Sequence, residues 1–153
     1  MEMNKQQITD WLKRVERISK QRGLRMTTQR RRVLEVILRA ERALGAYEIM
    51  HRLSDYEATP APPTVYRVLD FLVEQGLIHK IETLHAFIGC NHPEHPHNSQ
   101  FLICGDCGGV TEIESPRIVS ELSNAAQDWA FTLSRPIVEV LGTCATCRSQ
   151  STL

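Results

Sequence analysis

Four of the five cysteines fall into two C-x-x-C pairs, Cys104 with Cys107 and Cys144 with Cys147. Each pair can present two thiolates on one side of a turn, and two such turns can enclose a tetrahedral ion. Four sulfur ligands leave no open position, so the pattern predicts a structural zinc site rather than a catalytic one. A single C-x-x-C is also typical of redox chemistry, but two pairs in one small domain favour metal. We expect nearby glycines to let the backbone turn tightly around the sulfurs, namely Gly105, Gly108 and Gly142.

The formal net charge of zero hides an uneven distribution of charge along the chain. Residues 1–80 carry 15 lysines and arginines against 10 acidic residues, whereas residues 81–153 carry 3 against 8. Basic charge is densest in one short stretch that contains Arg22, Arg25, Arg30, Arg31 and Arg32. This distribution favours a polyanionic partner for the first half of the chain. A solvated helix face is the alternative interpretation.

The cellular compartment follows from what the sequence lacks. No apolar run approaches the ~18 residues of a membrane span, and the first ten residues contain no apolar segment of a secretion signal. We therefore expect a cytoplasmic protein without a membrane partner. Since thiols stay reduced there, its cysteines are more typical of metal binding than of a disulfide framework.

Apolar residues at helical spacing predict four helices in the first half of the chain. The first helix should end near Gln21, and the second should begin at Thr27 or Thr28. The third is expected over residues 46–53. The fourth should follow residues 59–63, with the prolines before its first turn.

The fourth helix has the clearest period, with one apolar face formed by Val65, Val68, Leu69, Leu72 and Val73. Two strand-like segments follow it, residues 77–83 and 86–90, close enough to pair as a hairpin. Three helices followed by a hairpin predict a winged helix-turn-helix, with the first helix as an N-terminal addition. We therefore predict a winged-helix domain over residues 1–90.

The composition changes at residue 91, where a polar, proline-broken loop over residues 91–98 predicts a domain boundary. Beyond it, strands at residues 100–104, 110–113 and 137–141 and a helix over residues 116–130 predict a small α/β domain, residues 99–153. The fold class is thus α+β. The helix is expected to bury its apolar residues, which are Ile118, Leu122, Ala125, Ala126 and Trp129. So small a domain needs a zinc staple, a partner subunit, or both.

Four motifs occur together in a characteristic order. Thr28-Gln29-Arg30 precedes Val33-Leu34, Pro62-Pro63-Thr64-Val65-Tyr66-Arg67-Val68-Leu69 follows, and a C-x-x-C-G and a terminal C-x-x-C complete the chain. In these motifs the chain resembles the ferric-uptake-regulator superfamily of bacterial metal-sensing repressors, from about residue 8 to Arg148. The resemblance implies a homodimer that binds palindromic double-stranded operator DNA when loaded with its cognate metal.

The resemblance also implies that the helix carrying Tyr66 and Arg67 enters the major groove. Arginine can bridge the O6 and N7 acceptors of guanine, and tyrosine can stack or bond a phosphate. For Tyr66, packing beneath the helix is an alternative role. The candidate DNA-binding residues are Thr64, Tyr66, Arg67, Arg25, Gln29 and Arg30.

A second set of ligands matches the zinc-uptake-regulator branch of that superfamily: His79, Cys90, His97 and Glu112. The shared pattern is a histidine in the wing, a cysteine eleven residues later, a histidine seven before the first C-x-x-C and a glutamate five after it. Two imidazoles, a thiolate and a carboxylate suit four-coordinate zinc. His92 and His95 share the loop of His97 and are alternatives to it.

Other metals fit the sequence less well. Iron-sensing relatives carry a His-Asp-His cluster where this chain has Asn98-Ser99-Gln100-Phe101, and a further histidine where it has Arg135. Both departures argue against sensing of iron, manganese or peroxide. The resemblance therefore implies a zinc-responsive repressor of zinc uptake genes, with one structural and one regulatory Zn2+ in each protomer.

Because the regulatory ligands come from the wing, the loop and the second domain, zinc would clamp the two domains in an orientation that binds DNA. The alternative within the same class is a regulator of another metal or of peroxide. Two alternatives belong to other classes: a constitutive nucleic-acid adaptor with structural zinc only, and a zinc hydrolase with Glu112 as general base. The sequence lacks H-E-x-x-H, a nucleophile elbow and a phosphate loop. We therefore expect neither enzymatic activity nor a small-molecule substrate.

Overall fold

The computed structural model describes residues 3–56 and 60–150. The chain divides into two compact units, one reaching to His95 and the other starting at Pro96. Thr59, the first residue of the proline segment considered above, lies outside the described residues. No helix in the described part of the chain has the length and apolar character to cross a membrane.

The first helix, α1, covers Lys5–Gln21 and begins with a capping box. The Gln7 backbone N–H donates to the Asn4 side chain at 2.9 Å, and the Asn4 N–H donates to the Gln7 side chain at 2.8 Å. Its regularly spaced apolar residues are buried: Ile8, Trp11, Leu12, Val15 and Ile18. The helix ends before Gly23, whose φ of +67° is left-handed and therefore favours glycine.

Three further helices complete the helical part of the first unit: α2 (Thr28–Leu38), α3 (Ala46–Leu53) and α4 (Pro62–Glu74). The side chain of Thr27 caps α2 by accepting the Arg30 N–H. Pro62 and Pro63 lie inside the first turn of α4, not before it. Proline fits there because the first amides of a helix have no intrahelical acceptor. The predicted apolar face of α4 packs into the core, apart from the half-buried Val73.

A small antiparallel sheet follows α4. Strands β2 (Ile78–Ile81) and β3 (Ala86–Gly89) pair as the predicted hairpin. A two-residue strand, β1 (Leu44–Gly45), joins the free edge of β3 and was not predicted. So short a strand has no period of its own, and it is defined by its pairing, with Leu44 opposite Phe87 and Gly45 opposite Ala86. Helices followed by this sheet form a winged helix-turn-helix.

The second unit is built on three strands in the order β5-β4-β6. They are β4 (Ser99–Cys104), β5 (Val110–Glu114) and β6 (Val138–Gly142). Strand β4 pairs antiparallel with β5 and parallel with β6. A parallel pair needs a long crossover, which contains helix α5 (Pro116–Gln127). A short helix that was not predicted, α6 (Ala145–Gln150), ends the described chain.

The predicted burial of α5 is wrong for the single chain. Helix α5 has no buried residue, Leu122 is 40% exposed, and Trp129 lies beyond the helix end and is 85% exposed. The apolar period gave the correct face of an amphipathic helix, but a period does not say what covers that face. No side chain of α5 is covered enough by the described part of the chain to be buried.

Candidate metal centres and nucleic-acid interface

The four paired cysteines meet in the second unit. Their sulfur atoms lie within 4.8 Å of one another, and the Sγ atoms of Cys107 and Cys144 are 3.9 Å apart. Tetrahedral zinc with Zn–S bonds of about 2.3 Å separates its sulfurs by roughly 3.8 Å. The arrangement therefore fits a four-sulfur structural zinc site.

Backbone hydrogen bonds close the first cysteine turn and join it to the end of β6. The Cys104 N–H donates to the Gly109 carbonyl at 2.9 Å, and the Gly108 N–H donates back to the Cys104 carbonyl at 2.9 Å. The Gly105 N–H reaches the Gly142 carbonyl of β6 at 2.9 Å. Of the three glycines singled out from sequence, only Gly108 has a positive φ, +70°. The left-handed backbone that favours glycine therefore occurs at Gly108 and not at Gly105 or Gly142.

The thiols of this cluster differ in pKa. Backbone hydrogen bonds, first from Cys107 and then from Cys144, lower the pKa of Cys104 to about 6. Hydrogen bonding with the Cys144 side chain, followed by burial, raises the pKa of Cys147 to about 12. Backbone donors thus stabilise one thiolate at neutral pH, and the thiolate is the form that binds metal.

The first unit holds two residues of the second ligand set. His79 lies on β2, and Cys90 directly follows β3 and is completely buried. The Cys90 N–H donates to the Leu77 carbonyl at 3.1 Å, which continues the hairpin ladder by one more bond. The ligand atoms of His79 and Cys90 lie within 4.8 Å of each other. A thiolate and an imidazole at this separation can share one metal ion.

The second unit holds the other two residues of that set. Nε2 of His97 lies 2.9 Å from Oε1 of Glu112, and the two side chains are only 5% and 3% exposed. The Ser99 hydroxyl donates to the same carboxylate oxygen at 2.6 Å. The antiparallel register of β4 and β5 brings Glu112 opposite Phe101 and so close to the start of β4. An imidazole and a carboxylate so placed form a second potential pair of ligands.

His92 and His95, the alternatives to His97, belong to the loop of the first unit. Their rings stack with centroids 6.2 Å apart and an angle of 11° between the planes. Both residues are exposed. His97 differs from them because its ring is already in contact with a predicted ligand, Glu112.

The polar face of α4 displays the residues predicted to read DNA. Tyr66 is 43% exposed, Arg67 is exposed and Thr64 is half-buried. The apolar residues of α4 lie in the core, so its free side is this polar face.

The basic stretch before and within α2 is only partly available to a ligand. Arg25 is exposed, whereas Gln29 and Arg30 are half-buried. The Arg30 guanidinium lies 3.5 Å from the centroid of the Phe71 ring and also donates to the Arg25 carbonyl. Arg30 thus links α2 to α4 and supports the loop that presents Arg25.

The sequence matches the model of the ferric uptake regulator family over residues 21–140. The chain belongs to that family. The zinc uptake regulation protein of Escherichia coli strain K12 is 36% identical over 146 residues, covering 95% of this chain and 85% of the relative. A solved zinc uptake regulator complexed with zinc and DNA has a TM-score of 0.90 at 34% identity, covering 95% of this chain and 98% of that one. The crystal structure of holo XcZur has a TM-score of 0.84 at 39% identity, with 92% and 98% covered.

Membership of the ferric uptake regulator family confirms the resemblance and the predicted α+β fold. Two features of the candidate sites were not predicted from the sequence. Helix α6 carries Cys147 but is too short to show a period. Tyr47, on α3, is 79% exposed, and a large aromatic side chain left in solvent on a helix-turn-helix is a further candidate for DNA contact. Its place in the first turn of α3, off the apolar face, was the available signal.

Proposed function

We propose that this chain is a zinc-responsive, DNA-binding transcriptional repressor that uses zinc as co-repressor to control zinc uptake genes. The observation that carries the proposal is the buried Cys90, whose sulfur lies within 4.8 Å of a ring nitrogen of His79, on the wing of the DNA-binding unit. A thiolate with an imidazole favours zinc over the oxygen-rich sites of harder metals. The naming of the 36% identical relative as a zinc uptake regulation protein supports the same choice of metal.

The two zinc ions of each protomer would have different roles, one structural and one regulatory. Cys104, Cys107, Cys144 and Cys147 would hold a permanent ion that stabilises the second unit, since such a unit has little core of its own. His79 and Cys90 of the first unit, with His97 and Glu112 of the second, would hold the regulatory ion. Zinc bound by ligands from both units restricts their relative motion, and only the fraction of molecules in the competent arrangement binds operator. By reciprocity, operator DNA should tighten zinc binding.

Two measurements on reduced protein test the proposal. We expect elemental analysis to find two zinc ions per chain, falling to one after a mild chelator. DNA binding, followed in buffered free zinc with the four-cysteine site filled, should rise with zinc. A single tightly held zinc and zinc-independent binding would favour a constitutive adaptor, and a response to ferrous or manganous ion alone would favour another metal.

Arg67 provides a test of the DNA-reading face. Replacing Arg67 with alanine should weaken operator binding roughly 10- to 100-fold, because a bidentate arginine–guanine contact contributes about 1–3 kcal/mol of discrimination. Fluorescence anisotropy with zinc-loaded protein measures the loss. Arg39→Ala is the matched control, since Arg39 is exposed at the end of α2 and pairs with Glu35. Equal losses in the two variants would mean that Arg67 contributes only general charge.

We propose that the second unit forms a homodimer through its uncovered apolar surface. Leu102 of β4 lies in register with Val140 of β6, and the two are 44% and 50% exposed. Other exposed apolar side chains of this unit are Leu122, Trp129, Phe131, Ile137 and Leu141. So much apolar surface on so small a unit is typical of an interface.

Replacing Leu102 with glutamate should weaken the dimer at least roughly 100-fold, because an interface would bury the new charge without a partner. Light scattering across a dilution series gives the dimer dissociation constant. Leu84→Glu is the control, since Leu84 is similarly exposed, at 37%, but lies in the wing turn. An unchanged dimer in the Leu102 variant would exclude this face.

A further inference from the structure

Helix α1 is additional to the three helices of the winged helix, but it packs into the same hydrophobic core. Ile8, Trp11, Leu12 and Val15 all belong to the hydrophobic core of the first unit. Its position is therefore set by packing against the domain rather than by surface contacts. A helix fixed in this way can restrict the motion of a segment that contacts it.

One stripe of α1 faces the segment that follows the wing. Residues 11, 14, 18 and 22 repeat at helical spacing and so share a side of the helix and its C-cap. Three of them hydrogen-bond to the segment Cys90–Glu94, and the fourth, Ile18, is buried. The segment begins at the proposed thiolate ligand.

Trp11 makes the contact nearest to the ligand. Its indole N–H donates to the backbone carbonyl of Cys90 at 3.1 Å, and the two residues are 5% and 0% exposed. The Cys90 N–H is bonded to the Leu77 carbonyl on its other side. Both polar groups of the Cys90 backbone are therefore held, and a held backbone limits the directions its sulfur can take.

The next residues of the segment are held by two arginines. Arg22 donates to the Pro93 carbonyl at 2.8 Å and to the Gln75 carbonyl at 2.7 Å, which ties the segment to the end of α4. Arg14 pairs with Glu94, but both side chains are more than a third exposed. Exposed ion pairs contribute little, so the buried bond from Trp11 is the strongest contact, followed by the part-buried bond from Arg22 to the Pro93 carbonyl.

We propose that Trp11 is a positioning residue for the regulatory metal, acting through the Cys90 backbone, with Arg22 holding the segment that follows. Helix α1 thereby sets the zinc affinity of that site. This inference rests on the proposed function, because it requires Cys90 to bind the regulatory ion. Groups that orient a metal ligand without touching the metal commonly change affinity by 10- to 100-fold when they are removed.

The test is Trp11→Phe in the full-length, zinc-stapled protein, which keeps an aromatic ring and removes the N–H donor. Competition with a chelator should show zinc affinity at the second site reduced about 10-fold or more, with the four-cysteine zinc retained. Cobalt(II) bound at that site should show a changed thiolate charge-transfer band. Ile8→Val is the matched control, because it trims a side chain on the same buried face of α1 and leaves the indole N–H donor of Trp11 in place.

Two further variants distinguish a folding defect from loss of the positioning contact. If Trp11→Phe folds poorly, Arg22→Met, on the exposed C-cap of α1, should lower second-site zinc affinity in the same direction. Normal affinity in whichever of these variants folds, or an equal loss in Ile8→Val, would overturn the inference. Cys90→Ser, measured in parallel, separates failure of the proposed function from failure of the positioning role. If Cys90→Ser keeps the zinc of the second site, the proposed function fails. If Cys90→Ser loses that zinc while Trp11→Phe keeps it, only the positioning role of Trp11 fails.

Discussion

Replacing Cys144 with serine is expected to remove the structural zinc and unfold the second unit. Cys144 lies at the centre of the cluster, where its sulfur accepts the Cys147 N–H at 3.5 Å and lies 3.9 Å from that of Cys107. Structural zinc contributes about 10–16 kcal/mol of apparent binding free energy, whereas a whole domain is stable by only about 5–15 kcal/mol. The free energy lost with the ion is therefore larger than the remaining contacts of this unit can offset.

Zinc content and far-UV circular dichroism measure this result. The variant should lose one zinc per chain together with the secondary structure of the second unit, while the first unit melts as before. Ser149→Ala is the local control, because it removes only an exposed hydrogen bond within α6, from Ser149 to the Ala145 carbonyl. A Cys144 variant that keeps its zinc and its melting curve would show that the four sulfurs do not staple this unit.

Replacing Cys90 with serine should have the largest effect on regulation. The hydroxyl is a poor ligand for zinc, and Cys90 is the one thiolate in its proposed site. We expect loss of the exchangeable zinc and at least a roughly 100-fold loss of zinc-dependent operator binding, by analogy with removing the ion that stabilises the competent state. The structural zinc and the dimer should persist.

Operator binding in buffered free zinc, with a thermal melt to verify folding, measures this result. His92→Gln is the control, because His92 lies in the neighbouring loop but not in the proposed ligand set. A normal zinc response in Cys90→Ser would remove Cys90 from the site. A lost response in His92→Gln would mean that the ligand set must include the exposed histidine pair.

The sequence by itself determined the features that depend on neighbours along the chain. Thr27 capped a helix where predicted, and the period of Val65, Val68 and Leu69 placed α4 with the correct face inward. The spacing of Cys104 and Cys107 likewise predicted that their sulfur atoms lie close together, as they do. Caps, helical periods and chelating turns are local, because their atoms are separated by only a few residues.

Only the tertiary structure decided which distant groups meet. The β4–β5 register placed Glu112 within 2.9 Å of His97, and the fold of the first unit placed Trp11 on the carbonyl of Cys90. It also left α5 and Trp129 uncovered, contrary to the period that predicted their burial. Pairing register and the partner of an apolar face depend on groups far apart in the chain, so no local pattern specifies them.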